Sequence, residues 1–250
     1  MKKNITDSIQ FGEGNFLRAF VDYCIQILND KTSFSGKVNI IQPLPEGMIE
    51  QLKIQNGKYN LFHEGIIQGK IIRDRMQINC VKQMNNPYQE FDQFLELAEN
   101  ENLTFVFSNT TEAGIVLDTK DQFTDKPPRS FPGKLTRLLH HRYKTFNGDP
   151  SKVLHIIPSE LIEENGTKLK KIILELSKIW KLEDDFISWI NQNHFYNTLV
   201  DRIVPGFPKK DLDFYKKELS FDDQLIVTCE PFFLWVIEGN KELLKIFPVD

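Results

Sequence analysis

Two glycines separated by one residue, Gly12 and Gly14, stand between a short apolar-alternating segment and an amphipathic helical pattern. Such a turn can bind phosphate, because the first glycine can adopt tight-turn backbone angles and the second lets the backbone approach a pyrophosphate without an intervening Cβ. The helix that follows would offer unpaired N–H groups and the positive end of its dipole. The pattern therefore indicates the first strand, turn and helix of a dinucleotide-binding domain.

The motif is incomplete, because Leu17 stands where the usual G-x-G-x-x-G fingerprint has its third glycine. A bare G-x-G before a helix is also found in ordinary turns. Arg18 is a candidate ligand of the pyrophosphate or, alternatively, a solvated helix charge. The predicted cofactor-binding residues in this segment are Ile9, Gln10, Phe11, Gly12, Glu13, Gly14, Asn15, Phe16, Leu17, Arg18, Ala19 and Phe20.

Two more cofactor residues are predicted at the ends of other strands. Dinucleotide folds usually carry an acid at the end of the second strand, where it binds the ribose hydroxyls. Gln42 stands there instead, and it can hydrogen-bond the ribose without repelling a 2′-phosphate, so this position leaves NAD and NADP open. Asn109 follows another buried strand, and its amide could reach the ribose or nicotinamide, or simply close the strand-end turn.

Three charged residues stand out because they lie at a strand end or in an apolar segment. Glu160 follows Pro158 at the end of a buried strand pattern, and Asp201 and Arg202 lie in a mostly apolar segment. The last two could form a buried, purely structural Asp–Arg pair. His155 lies inside a buried strand pattern and is interpreted as a satisfied core residue.

The elements that must position these residues alternate along the chain. Strand–helix alternation predicts an α/β fold with a Rossmann-like, mainly parallel, doubly wound sheet, into which an antiparallel hairpin flanking Gly65 and Gly69 is inserted. Polar strand ends at Gly12–Asn15, Ser108–Glu112 and Ser159–Glu160 would meet at one edge of this sheet. The predicted strands are Ile5–Phe11, Val38–Ile41, Tyr59–Glu64, Lys70–Ile78, Leu103–Phe107, Val153–Ile157 and Thr198–Val204, followed by an extended apolar segment Gln224–Ile237. The predicted helices are Asn15–Leu28, Pro87–Asn100, Gly133–Phe146, Thr167–Trp180 and Asp184–Asn193, with a loop at Pro127, Pro128 and Pro132.

Composition excludes several classes of protein. A net charge of −4 over 250 residues argues against a general nucleic-acid-binding role, which needs a basic face. The cysteines Cys24, Cys80 and Cys229 are widely spaced and form no C-x-x-C motif, which indicates a reducing compartment and no zinc site. Neither a signal peptide nor a membrane-spanning run is recognised, so a cytoplasmic location is expected.

Five separate strings, in order, resemble the mannitol dehydrogenase family of polyol-specific long-chain dehydrogenases, in particular its uronate-reducing branch. The resemblance covers the chain from about Ile5 onward. The strings that carry it are Ile9–Phe20, Phe107–Ile115, Lys134–Leu139, Ile156–Gly166 and Asn197–Gly206.

The resemblance implies NAD-dependent interconversion of tagaturonate and altronate by hydride transfer in hexuronate catabolism, without a metal. It implies a lysine as acid/base, aided by polar side chains that steady the developing oxyanion. By resemblance Asp201 faces the substrate, and Arg202 beside it would suit a uronate carboxylate. Polyol relatives hold the substrate oxygen with an asparagine where this chain has Leu161, so whether Glu160 takes that role is open.

Members of this family are longer, and their catalytic lysine lies in a Lys…Asn…His string within a helical C-terminal domain. No lysine of this chain is followed by Asn and His at that spacing. The resemblance thus implies a cofactor-binding half, as a cut piece or a truncated gene product, that is weak or inactive without the missing domain. Residues 1–223 are predicted as the Rossmann-like domain and 224–250 as the start of the junction. The alternatives are a non-catalytic nucleotide-binding module serving as sensor or partner of a separate catalytic chain, and a dehydrogenase for another sugar acid or polyol.

Overall fold

The computed structural model describes residues 5–111, 114–219, 221–239 and 241–249, without the side chain of Ile67. Glu112 and Ala113, which belong to the predicted strand-end segment and to one of the five strings, lie outside the described residues. The strands within these ranges are β1 (Ile5–Phe11), β2 (Ser35–Ile41), β3 (Tyr59–Ile67), β4 (Lys70–Ile78), β5 (Val81–Asn85), β6 (Leu103–Ser108), β7 (His155–Pro158), β8 (His194–Phe195), β9 (Asn197–Asp201), β10 (Val227–Cys229) and β11 (Leu234–Glu238).

The helices connect and cover these strands. Within the described ranges no helix combines the length and the apolar content that crossing a bilayer requires. The helices are α1 (Asn15–Lys31), α2 (Ile49–Ile54), α3 (Phe91–Glu96), α4 (Phe131–Thr145), α5 (Asn165–Ile179), α6 (Asp184–Gln192), α7 (Leu212–Lys216) and α8 (Lys241–Ile246), with 3₁₀ turns at Leu97–Glu99 and Pro150–Lys152.

Six strands form one parallel sheet in the order β5-β2-β1-β6-β7-β8. Neighbouring residues of a strand point to opposite faces, so Ile40 and Phe107 pack in the core under α1, whereas Ile41 and Val106 pack under α4 and α5. Because helices cover both faces, the strands read as continuous apolar runs. The predicted fold class, a doubly wound Rossmann-like sheet with an inserted antiparallel hairpin, is confirmed.

The inserted hairpin consists of β3 and β4, which pair antiparallel along their whole length. The prediction that Gly65 lies between the two strands was wrong, because Gly65 lies within β3. The turn is made by Gln68 and Gly69, whose φ angles of 50° and 75° are both positive, as a tight hairpin requires. β10 then pairs parallel with β3, so the hairpin becomes a three-stranded sheet.

Two predicted helix boundaries also shift. Pro132 was predicted to lie in the loop, but α4 already begins at Phe131. The hydroxyl of Ser130 accepts the N–H of Gly133 at 2.9 Å, and a proline fits the first turn because its missing N–H needs no partner there. The long helix predicted over Pro87–Asn100 is only α3 followed by one 3₁₀ turn.

The final part of the chain packs onto the rest of the domain. Phe247 is fully buried with its ring 5.7 Å from that of Phe107, and Trp235 lies 5.1 Å from Phe20. The outer face of the β9–β11 ribbon leaves Leu199 and its cross-strand partner Val236 half exposed. The division of the chain at residue 224 stays a prediction.

His155 gives the fold a pH dependence. Its Nδ1 lies 2.8 Å from the hydroxyl of Tyr196, its ring stacks 4.6 Å from that of His194, and burial lowers its pKa to about 4. The imidazole of the folded chain therefore stays neutral below about pH 6.5, where the unfolded chain binds a proton. Its contribution to stability is complete above that pH and is lost as the pH falls toward 4. The ring is partly exposed, so its effect is reduced. We expect the unfolding free energy of His155→Gln to fall by only about 1 kcal/mol less than that of the wild type as the pH is lowered.

Urea unfolding of both proteins between pH 8 and pH 4 measures that difference. Burial also lowers the pKa of His63 to about 4. The unfolding free energy of the variant should therefore still fall with decreasing pH, but less steeply than that of the wild type. Equal losses of unfolding free energy in the two proteins would show that His155 does not contribute.

Candidate functional site

Three strand ends meet at one edge of the parallel sheet, as predicted. Phe11 pairs with Ser108, which in turn pairs with Pro158. The N–H of Asn109 donates to the carbonyl of Phe11 at 3.1 Å, and the N–H of Ser159 donates to that of Ser108 at 2.8 Å. The three loops that follow these strands therefore begin side by side, which is where parallel α/β sheets bind ligands.

A cleft of about 550 Å³ opens beside these loops. It brings together residues predicted separately for the cofactor, the chemistry and the substrate. It is also lined by Thr111 and by the apolar residues Leu161 and Val200, which were not predicted as site residues. The lining consists of Phe16, Asn109, Thr111, Glu160, Leu161, Val200, Asp201 and Arg202.

Gly12 makes the tight turn between β1 and α1. Its φ is +128°, a value that favours glycine, and a Cβ there would stand 2.8 Å from Leu17 Cδ1 and 3.1 Å from the carbonyl oxygen of Asn109. Leu17 is 1% exposed and fills the space beneath the turn. A leucine at the third fingerprint position is thus compatible with the turn.

Gly14 leaves open the space that the predicted approach of a pyrophosphate to the backbone requires. Its φ of −68° is available to any residue, but nothing lies within 4 Å of the position that a Cβ would take. Gly14 is also the N-cap of α1, where no side chain caps the helix and no acidic residue stands in the first turn. The start of this 17-residue helix therefore presents N–H groups and a positive dipole end to an open space, which suits an anionic group.

Arg18 is not a solvated helix charge, because it is only 1% exposed. Its Nε donates to the carbonyl of Glu13 at 3.1 Å, and its Nη2 donates to Oδ1 of Asn15 at 2.7 Å. Its Nη1 donates to the carbonyl of Leu225 at 2.6 Å, and its guanidinium lies 5.0 Å from the ring centre of Tyr59. These contacts fix the glycine turn to the buried interior of the domain. Direct contact of Arg18 with a cofactor stays a prediction.

Other predicted cofactor residues are buried in the structure. Five of them have fully covered side chains: Ile9, Gln10, Phe11, Ala19 and Phe20. Any contact of these five with a ligand would have to come from their backbone. Gln42 uses its amide to hold its own loop, because Nε2 donates to Leu44 and Pro45 at 2.9 and 3.0 Å and Oε1 accepts from Ile49 at 3.4 Å. Its role toward the ribose stays a prediction.

Asn109 and Glu160 tie the ends of β6 and β7 together. Asn109 Nδ2 donates to the carbonyl of Ser159 at 2.7 Å, so it closes the strand ends and also lines the cleft. Glu160 Oε1 accepts the N–H and the hydroxyl of Thr110 at 3.0 and 2.9 Å, and Oε2 accepts the hydroxyl of Ser108 at 3.0 Å. Burial raises the pKa of this carboxyl, and the hydrogen bonds from Thr110 and Ser108, which lower it, offset only part of that effect. Its substrate role stays a prediction.

Asp201 and Arg202 line the cleft but do not form the buried pair that was considered. Asp201 is exposed, whereas Arg202 is 6% exposed, because successive residues of an extended segment point to opposite sides. Arg202 Nη1 donates to the carbonyl of Ala19 at 2.6 Å, and its Nε and Nη2 donate to that of Glu230. The guanidinium also lies 4.5 Å from the ring centre of Tyr23.

A larger cleft, of about 900 Å³, runs along the outer strand β5 and α3. Its walls include Lys82, Asn85 and Glu96 but no residue of the G-x-G turn. The smaller cleft is the better candidate site because it adjoins the three strand ends.

A parallel sheet in this order, with a glycine turn leading into an open helix N-terminus, defines a Rossmann-type dinucleotide-binding domain. The family model described as the mannitol dehydrogenase Rossmann domain matches residues 6–246. The chain belongs to the mannitol dehydrogenase family, and the resemblance stated from its five strings is confirmed.

Among curated relatives, the chain is 49% identical to the altronate oxidoreductase of Phocaeicola vulgatus over 243 residues, which are 97% of this chain and 51% of that protein. It is 47% identical to the altronate oxidoreductase of Bacteroides thetaiotaomicron, with the same coverage. It is 46% identical to that of Bacillus subtilis, over 96% of this chain and 50% of that protein. The chain spans about half the length of the curated relatives it matches.

Two solved structures share the fold. One is the mannitol 2-dehydrogenase of Pseudomonas fluorescens in a ternary complex with NAD and D-mannitol, with a TM-score of 0.78 and 19% identity over 95% of this chain and 52% of that one. The other is a D-sorbitol dehydrogenase in substrate-free form, with a TM-score of 0.77 and 19% identity over 97% of this chain and 55% of that one. NAD, the cofactor predicted from the sequence, is the dinucleotide of the first complex.

Proposed function

We propose that this chain is the NAD(H)-binding portion of an oxidoreductase that interconverts tagaturonate and altronate. The observation that carries the proposal is the open, uncapped start of α1 at Gly14, placed at the strand ends of a Rossmann-type sheet. The name of the relatives, altronate oxidoreductase, supports the substrate. When bound, NADH would supply the hydride, while this chain would bind its pyrophosphate and orient its reactive end toward the cleft.

The cleft suits a small polar substrate beside the nicotinamide. Phe16 and Asn109 line the side toward the turn, and Asp201 and Arg202 line another part of the wall. The arginine would attract a uronate carboxylate, although its N–H groups already hold two carbonyls. We propose that the lysine acting as acid/base lies in the part of the relatives that this chain does not match, so the chain alone turns over weakly or not at all.

The second half of the relatives is the proposed partner of this chain. The β9–β11 ribbon, which includes the cleft residues Val200 and Asp201, exposes Leu199, Leu234 and Val236 on its outer face. An apolar surface of this kind beside a site is typical of an interface. We therefore propose residues 224–250 as the start of the junction to that half. A cytoplasmic location, expected from the sequence, is also part of the proposal.

Substitution of Gly14 by aspartate tests the cofactor site. An aspartate at this N-cap should maintain or slightly raise stability, by a few tenths of a kcal/mol, because it caps α1 and complements the helix dipole. The same carboxylate would occupy the open space and repel the pyrophosphate, so NADH affinity should fall at least about tenfold. Fluorescence titration with NADH and urea unfolding measure the two effects, with Gly14→Ser as an uncharged capping control.

The proposed function would be overturned if the wild-type chain showed no saturable binding of NADH. Tagaturonate is then added to the titrated sample and NADH loss is followed, with and without the second half of a relative. Turnover only when that half is present supports the proposed division of labour. Turnover by this chain alone would place the acid/base within it, and binding without turnover in both samples would favour the non-catalytic module. Turnover with a different sugar acid or polyol, but not tagaturonate, would replace the proposed substrate.

A further inference from the structure

The end of the second strand lacks the acid that usually binds the adenosine ribose. β2 ends at Ile41, and the next residue, Gln42, directs both ends of its amide into the loop that follows. The ribose hydroxyls of a dinucleotide lie at this place in related folds and call for a hydrogen-bond acceptor. Discrimination between NAD and NADP calls for a negatively charged acceptor at this place, and the neutral amide of Gln42 does not supply one.

Glu13 reaches the same place from the glycine turn. It stands between Gly12 and Gly14 and is 8% exposed. A Cβ built on Gly47 would overlap Glu13 Oε1 and stand 2.6 Å from the amide of Gln42, so the carboxylate lies against the loop after β2. Its carboxylate therefore joins the proposed pyrophosphate turn to the end of β2.

The charge state of Glu13 is set by opposing influences. Burial raises the pKa of the carboxyl, whereas the backbone N–H groups of Glu13 and Met48 and the nearby Arg18 charge favour the ionised form. An ionised carboxylate accepts hydrogen bonds from two ribose hydroxyls, but it repels the doubly charged phosphate that distinguishes NADP.

We propose that Glu13 determines the dinucleotide specificity of this chain: it accepts the ribose hydroxyls of NAD(H) and excludes the 2′-phosphate of NADP(H). This inference rests on the proposed function, since it requires that a dinucleotide binds along the turn. The residue between the two glycines thus takes the part that the second strand end plays in other dinucleotide folds. Gly47 is needed for this role, because a side chain there would displace the carboxylate.

The test compares dissociation constants for NADH and NADPH by fluorescence titration of the whole chain. Wild type is expected to bind NADH at least about tenfold more tightly than NADPH, and Glu13→Gln should lower that preference about tenfold, chiefly by tightening NADPH. Glu13→Asp keeps the charge with a shorter reach, so it should still reject NADPH while binding NADH more weakly. Glu46→Gln removes an exposed carboxylate from the same loop and should leave the preference unchanged.

The outcomes separate this inference from the proposed function. Wild type that binds NADH, together with a Glu13→Gln variant of unchanged preference, would overturn the role of Glu13 and leave the proposed function standing. A wild-type preference for NADPH would likewise overturn it. Wild type that binds neither nucleotide would overturn both. Thermal unfolding of each variant is measured alongside, and if Glu13→Gln does not fold, a Glu13→Asp variant that accepts NADPH as readily as NADH overturns the inference.

Discussion

Replacing Arg18 with leucine is expected to lower the free energy of unfolding by about 3–5 kcal/mol, because it removes one member of a buried polar network and leaves the others without partners. The side chain is 1% exposed, and it satisfies the carbonyls of Glu13 and Leu225. Buried Asp22 and Asp223 would lose the positive charge that acts on them. Burial lowers the pKa of Arg18 itself, but its surroundings keep it paired.

NADH affinity should fall with stability in this variant. Arg18 fixes the glycine turn through the backbone of Glu13 and the side chain of Asn15, so its loss loosens the proposed pyrophosphate site. Urea unfolding and NADH titration measure the two effects. Arg18→Lys keeps the charge without the planar fork and should give an intermediate loss. Arg129→Leu, at an exposed position, should change stability by no more than about 0.5 kcal/mol. An Arg18→Leu protein within about 1 kcal/mol of wild type would contradict this account.

The role of Arg18 shows where sequence reasoning stops. The glycine turn and the helix after it follow from local pattern, because Gly12 and Gly14 act on backbone within a few residues. The environment of Arg18 depends on Leu225, which is 207 positions further along the chain. No periodicity in α1 reports that contact, so a buried linking residue and a solvated charge have the same sequence signature.

The sheet was predictable for a related reason. Each parallel strand is a short apolar run whose position in the βαβ order is set by its neighbours in sequence, and the polar strand ends then had to converge at one edge. The pairing of β10 with β3 joins distant segments, and the apolar run Gln224–Ile237 carries no sign of its partner. Pro132 was misplaced because a proline ends most helices but is also favoured in their first turn.

The ribose position gives a second example. Sequence reasoning assigned this function to Gln42, because the second strand end is where such folds keep their acceptor. The loop between Gln42 and Ile49 folds back onto the glutamine amide, so that Nε2 donates to the carbonyls of Leu44 and Pro45 and Oε1 accepts the N–H of Ile49. Space for the carboxylate of Glu13 depends on the missing side chain of Gly47, a tertiary contact with no signature in either segment.

Removing the carboxylate of Glu160 is the second change with a large expected effect. Glu160→Ala should cost about 2–4 kcal/mol of unfolding free energy, because the hydroxyl of Ser108 and the N–H and hydroxyl of Thr110 lose their acceptor. Glu160 itself is 1% exposed, so water replaces these bonds poorly. Glu163→Ala, at an exposed position of the same segment, should change stability by no more than about 0.5 kcal/mol. Urea unfolding of the three proteins measures the difference.

The same variant separates two roles of Glu160. Asn109 lies between Ser108 and Thr110, which Glu160 holds, and it lines the cleft toward which the reactive end of the cofactor is proposed to point. Loss of the carboxylate should therefore weaken NADH binding several-fold as well as stability, and Glu160→Gln, which keeps one acceptor oxygen, should recover part of both. A carboxylate that only touched the substrate would leave unfolding and NADH affinity unchanged. Glu160→Ala with wild-type values of both quantities would thus exclude the positioning role and favour direct contact with the substrate.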